Sequence, residues 1–188
     1  AIGVLNLCFF MRFSTPIAKF SFFFSNFALK QQIYTLFYLR FVKNYQGMDK
    51  HAWSNMPDSR RNSWAGYAFE QVCTLHVDQI KQALGISGIA CDVCSWSYKS
   101  QEHGVQIDLI IDRNDKSIDL CEIKYSVGQY ELKKDYIEWM RGRRNLFRDV
   151  TGTKKSLRLT LIASGGIKQN KYSSSIQGKV VLDDLFKE

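Results

Sequence analysis

Residues 104–125 read GVQIDLIIDRNDKSIDLCEIKY, and this stretch decides the fold. Residues 105–112 are apolar and β-branched with polar side chains at alternate positions, and 117–125 alternate in the same way. Between them Arg113, Asn114, Asp115 and Lys116 supply turn chemistry, so the pattern predicts two strands joined by a tight turn. A strand has a side-chain period of two. That period puts Gln106, Asp108 and Ile110 on one face of the first strand and Ile107, Leu109 and Ile111 on the other. On the second strand, Leu120, Glu122 and Lys124 fall together, opposite Cys121 and Ile123. An acid on one strand therefore faces an acid and a lysine on the next, beside an apolar layer. Burying such groups is unfavourable unless they are paired or bind something.

These residue types suit metal-assisted hydrolysis. Mg²⁺ takes oxygen ligands, usually one or two carboxylates with waters and substrate phosphates. Asp108 and Glu122 can supply the carboxylates and the Ile123 carbonyl a third oxygen. Lys124, on the same face as Glu122, can hold the attacking water or neutralise charge on the scissile phosphate. The same spacing also describes a cross-strand salt bridge on a solvated sheet face.

Asp108, a turn, and then Glu122-Ile123-Lys124 resemble the D…(D/E)xK core of the PD-(D/E)XK nuclease superfamily. Upstream, WAGYAFEQVC at 64–73 looks like that superfamily's first core helix, which carries a further acid, and Glu70 matches it. The ordered run GYAFEQVC, HVDQIKQALGISGI, QIDLIIDRND, LCEIKY and LTLIASGG is similar to one branch in particular. That branch is the nuclease-like C-terminal region of a family of prokaryotic AAA-type ATP-binding proteins, and the resemblance covers roughly residues 53–186. It implies a restriction-endonuclease-like α/β sandwich, Mg²⁺ or Mn²⁺ as cofactor, nucleic acid as partner, and an ATPase domain or chain nearby. Asp108, Glu122 and Glu70 would then be the metal acids and Lys124 the catalytic lysine.

The 188 residues carry a net charge of +8, which points towards a polyanionic partner, and their 45% hydrophobic content is ample for one core. Five cysteines form no paired framework. Cys91 and Cys94 make a CxxC with no second ligand pair, so reduced thiols in a cytoplasmic protein are expected rather than zinc. Residues 1–47 form a Phe-rich lead ahead of a nuclease-like domain at 48–188. Arg12, Lys19, Lys30 and Arg40 interrupt its apolar runs and Pro16 breaks them again, which disfavours a membrane span. Residues 34–42, YTLFYLRFV, look like the segment that links a winged-helix region to the nuclease-like domain in the ATPase family. The chain has no GxxxxGK[ST] loop, so it reads as a C-terminal piece that does not hydrolyse ATP by itself.

Ser63 is expected to cap a helix ending at Gly85, with Ala65, Phe69, Val72, His76, Ile80 and Leu84 on its buried stripe. Glu70 stands one residue beyond that stripe, placed to reach over the sheet edge or to remain a solvated carboxylate. His76 reads as a core histidine. A first strand lies within 86–96, and His103 falls in the following loop, at the mouth of the site or as an ordinary loop side chain. A helix over 131–148 packs through Leu132, Tyr136, Met140 and Phe147. From 133 to 158 nine basic residues (Lys133, Lys134, Arg141, Arg143, Arg144, Arg148, Lys154, Lys155 and Arg158) stand against three acids. Such a cluster suits a phosphodiester backbone or a solvated surface helix. SLRLTLIA at 156–163 reads as an inner parallel strand. Residues 179–182 add a short strand before a turn capped by Asp183 or Asp184.

The order helix, strand, hairpin, helix, strand predicts an α/β sandwich with a mixed central sheet. The expected function is metal-dependent phosphodiester hydrolysis on DNA or RNA. The other reading is a catalytically inactive nucleic-acid-binding or partner-docking module of the same fold.

Overall fold

A computed structural model describes residues 32–43, 53–54, 56–99 and 104–187. The Phe-rich stretch before residue 32 and His103 lie outside the described residues. The architecture is α/β. A five-stranded mixed sheet is flanked on one face by helices α1 (Asp58–Leu75) and α2 (Val77–Ala83) and on the other by α3 (Lys134–Thr151). The strands are β1 (Cys91–Lys99), β2 (Gly104–Arg113), β3 (Ser117–Lys124), β5 (Ser156–Ala163) and β7 (Gly178–Val181), in the spatial order β1-β2-β3-β5-β7. β2 runs antiparallel to both β1 and β3, whereas β5 runs parallel to both β3 and β7. Two short strands, β4 (Tyr130–Glu131) and β6 (Ile167–Lys168), pair separately. Among the described residues, no helix is long and apolar enough to cross a membrane.

β5 is covered on both faces, as the partial alternation of SLRLTLIA predicted. Ile162 joins the α1-side core of Phe69, Cys73, Ile80 and Ile123, while Leu159, Leu161 and Ala163 meet Ile137 and Met140 of α3. Burial, with Glu70 and Asp108 beyond it, pushes the Cys73 thiol up to about 12. α3 ends where Gly152 turns left-handed at φ 63° and its N–H returns to the Arg148 carbonyl, later than residue 148.

The first helix differs from expectation. It starts at Asp58 behind Pro57, and the Ser63 hydroxyl donates within the helix to the Ser59 carbonyl at 2.8 Å instead of capping an end. Nor does it run unbroken to Gly85. His76 leaves helical geometry at φ −117° and ψ 36°, and its N–H and ring Nδ1 both turn back to the Val72 carbonyl. The non-helical backbone of His76 ends α1, and α2 restarts one residue later. His76 is thus a structural histidine. Ahead of α1, helical residues 32–37 pass into a π-helical turn, Tyr38–Val42, and Phe37 and Phe41 pack against Trp53 and Trp64 with ring centroids 5.3–5.7 Å apart.

At the turn end of the hairpin, the buried Asp119 carboxylate ties three elements together. Arg113 of β2 approaches one oxygen at 3.1 Å, and Arg158 and Thr160 of β5 approach the other at 3.1 Å. Removing the carboxylate leaves two guanidinium groups facing an apolar void. Asp119→Ala is therefore expected to lose about 3–5 kcal/mol of stability, read by urea unfolding at neutral pH, with Asp119→Asn losing less.

Candidate active site

The two hairpin strands do not stay paired along their length. Their ladder covers Leu109 to Asp112 against Ile118 to Cys121. Beyond Leu109 and Cys121, β2 continues beside β1 to Gly104, and β3 continues beside β5 to Lys124. The sheet forks there. Opposite the fork, the β1–β2 register slips: Cys94 faces Ile110 but Trp96 faces Ile107, which inserts one extra residue into β2. This bulge overturns the expected faces. Ile107 packs with Ile110 and Leu120 on the α3 side, while Leu109 and Ile111 pack on the α1 side. A bulge bends the strand and re-aims the side chains within it, and here Asp108 is the residue re-aimed.

The Asp108 carboxylate accepts a hydrogen bond from the Ile123 N–H at 3.2 Å. It takes a backbone donor that the parted strands no longer share. On β3, Glu122 is buried, with 7% of its surface exposed. Its two oxygens meet two different cations: Lys124 Nζ lies 3.0 Å from Oε1 and Arg143 Nη1 lies 3.2 Å from Oε2. Burial pushes the Glu122 carboxyl above the ordinary carboxylate range, and Asp108 pushes it further, while Lys124 and Arg143 draw it back. Glu70, on α1, is raised in the same way, by burial first and by Asp108 second, with Lys124 opposing. An open cleft of about 250 Å³ lies between Asn62, Gly66 and Glu70 of α1 and residues 123–127.

The four residues expected at the site are thus brought to one fork. They are not a finished metal cage. Among the described residues, no three His, Cys, Asp or Glu side chains form a group that could hold a metal ion. Asp108 and Glu122 still fit the one or two carboxylates that Mg²⁺ requires. Glu70 faces the cleft as a neighbour that feels the Asp108 charge.

Sequence reasoning missed what α3 contributes. Arg143 crosses from the helix to Glu122, and its Nη1 also donates to the Gln106 carbonyl on β2. Its guanidinium lies 3.6 Å from the Trp139 ring centroid, and Trp139 stacks on Tyr136 at 5.2 Å. Lys124 Nζ stands 5.7 Å and 5.8 Å from those two rings. The signal was present as Tyr136, Trp139 and Arg143 at three- and four-residue steps, one helix face. The basic cluster itself divides. Lys155 pairs with Asp112 and Arg158 with Asp119, at the hairpin's far end. Arg141 bonds Ser175 and Arg144 bonds Asn145, whereas Lys133, Lys134, Arg148 and Lys154 are exposed. A single continuous basic face is not what the fold makes of them.

Compared with protein-family models, curated proteins and solved structures, the chain matches none of them.

A carboxyl raised on folding binds its proton more tightly in the native than in the unfolded state. Its contribution favours the fold at low pH and is lost as pH rises through the native value. Glu122→Gln is accordingly expected to melt higher than wild type at neutral pH. That advantage should shrink as pH falls below the ordinary carboxylate range, as scanning calorimetry across pH would read.

Proposed function

We propose that this chain is a PD-(D/E)XK nuclease-like domain that hydrolyses phosphodiester bonds in nucleic acid, DNA foremost, with Mg²⁺ or Mn²⁺. The observation that carries this reading is the fork, where Asp108 meets the Ile123 N–H beside Glu122 and Lys124. An element order of helix, three antiparallel strands, helix and parallel strand supports it.

Asp108 and Glu122 would hold the cation, and the cation when bound would supply Lewis acidity and an activated water. Lys124, held 3.0 Å from Glu122, orients that water and offsets charge gathering on the phosphate. Glu70 presents a carboxyl of raised proton affinity to the cleft, suited to orienting or accepting a proton from water. The bond that forms joins water oxygen to phosphorus, and the bond that breaks releases a nucleotide oxygen. The ATPase partner belongs to the same proposal and rests on the resemblance alone.

A second reading is a nucleic-acid-binding or partner-docking module without catalysis. It is favoured by the cations on both oxygens of Glu122 and by the lack of a three-residue metal group among the described residues. Plasmid nicking and calorimetric titration of Mg²⁺ and Mn²⁺ separate the two. Under the nuclease reading, Asp108→Ala loses both metal binding and nicking. Lys124→Ala loses nicking by about a hundredfold or more while keeping metal affinity. Normal cutting by either variant would overturn the mechanism.

A further inference from the structure

Glu122 has one more cation than a buried carboxylate needs. Lys124 already satisfies Oε1 from the same strand, two residues away. Arg143 comes from another element, across β3, and engages Oε2 through Nη1 alone. An arginine built to neutralise a carboxylate commonly makes two parallel bonds to it, one from each prong of its fork. Here the same Nη1 is divided between Glu122 and the Gln106 carbonyl, so the rest of the guanidinium edge is not spent on the acid. The group is nonetheless held firmly. The Trp139 ring lies beneath it, 3.6 Å from guanidinium carbon to ring centroid, Tyr136 backs Trp139, and the Arg143 side chain keeps 22% of its surface exposed. Lys124, with 34% of its side chain exposed, flanks Glu122 on the other side.

We infer that Arg143 and Lys124 form a two-cation clamp for a single phosphodiester of the bound strand, with Trp139 as the positioning residue that fixes Arg143. Glu122 sets the spacing between the two cations, and the free guanidinium edge supplies the planar pair of donors that a phosphate's two non-bridging oxygens accept. The clamp lies beside Asp108, so the phosphate it seats is the one presented to the acids. Arg143 thereby differs from the exposed Lys133, Lys134 and Lys154, whose ammonium groups carry no planar fork. This inference rests on the nucleic-acid reading above and assigns that reading's phosphate contact.

The test is anisotropy of a fluorescein-labelled DNA oligonucleotide in EDTA over a salt series, with plasmid nicking in Mg²⁺ measured separately. Arg143→Met is expected to weaken binding about ten- to a hundredfold and to lower the slope of log Kd against log salt by about one. Arg143→Lys keeps the charge and the slope yet still binds several-fold more weakly, because an ammonium cannot present two coplanar donors. Trp139→Leu leaves the ion pair intact and loses affinity in the same direction, and it carries the test should Arg143→Met fail to fold by circular dichroism. Binding by Arg143→Met equal to wild type, or by Arg143→Lys indistinguishable from it, overturns the clamp. Weakened variants beside a wild type that binds but never nicks uphold the clamp and remove the nuclease reading. A wild type that binds no oligonucleotide at low salt removes both.

Discussion

A buried peptide group must be hydrogen-bonded, and a sheet that parts beside one takes away its ladder partner. The site of this protein is built from the remedy. Where β2 leaves β3, the Ile123 N–H finds the Asp108 carboxylate and the Gln106 carbonyl finds Arg143. One side chain replaces an acceptor and the other a donor, so an acid and a base are drawn into a gap that would otherwise close. Glu122 then sits between them, and its charge is tolerated because Lys124 and Arg143 stand against it. Burial, and the Asp108 charge after it, still raise the proton affinities of Glu122 and Glu70 despite the cations nearby. A cluster of acids held above its comfortable charge is suited to receiving a cation.

The rest of the fold serves to hold the fork open. The far end of the hairpin is pinned by Asp119 between Arg113 and Arg158, so β2 and β3 cannot slide past each other to recover the lost pairing. β5 pairs with β3's outer edge in unbroken register from Ser117–Ser156 to Lys124–Ala163, and β1 pairs with β2's outer edge, through the bulge, up to Gly104. Each strand is thus satisfied by its outer neighbour while its inner edge is surrendered to side chains. α3 closes the arrangement from above: Met140 and Ile137 anchor it over β5, which leaves Tyr136, Trp139 and Arg143 along the fork.

Much of this was legible before any coordinates, and the parts that were not share a physical cause. β2, β3 and β5 could be read because period-two alternation and continuous β-branched runs are local properties, and Asp115 beside Lys116 marks the turn directly. Asp108, Glu122, Lys124 and Glu70 could be named because residue type and spacing carry that chemistry. The bulge at Asp108 could not, because register belongs to a pair of strands and β1 imposes it from outside. The break at His76 was hidden for a similar reason: the residue fits the apolar stripe, and only its backbone at φ −117° and ψ 36° shows that the helix has stopped. Counting charges along α3 also misled, since Lys155 and Arg158 are consumed by Asp112 and Asp119, partners more than thirty residues upstream in the chain.

The wall of the cleft beyond Lys124 is held in an unusual way. Residues 125–128 carry little buried side chain of their own, and Val127 is 82% exposed. The segment is instead pressed onto the loop after β5: Ser126 and Ser164 exchange hydrogen bonds at 2.8 and 3.0 Å, and a Cβ on Gly165 would fall 2.1 Å from the Gly128 carbonyl oxygen. At Gly165 main chain rests directly on the main chain of Gly128, and beside it the Ser164 hydroxyl bridges to the backbone of Ser126. Any side chain added at Gly165 would meet the Gly128 carbonyl, so the cleft wall cannot be rebuilt by enlarging that residue without moving the loop. Diversity in what such a cleft admits can arise by changing the length of the 125–129 loop, or from the opposite bank, where Gly66 leaves open space that any larger side chain could fill.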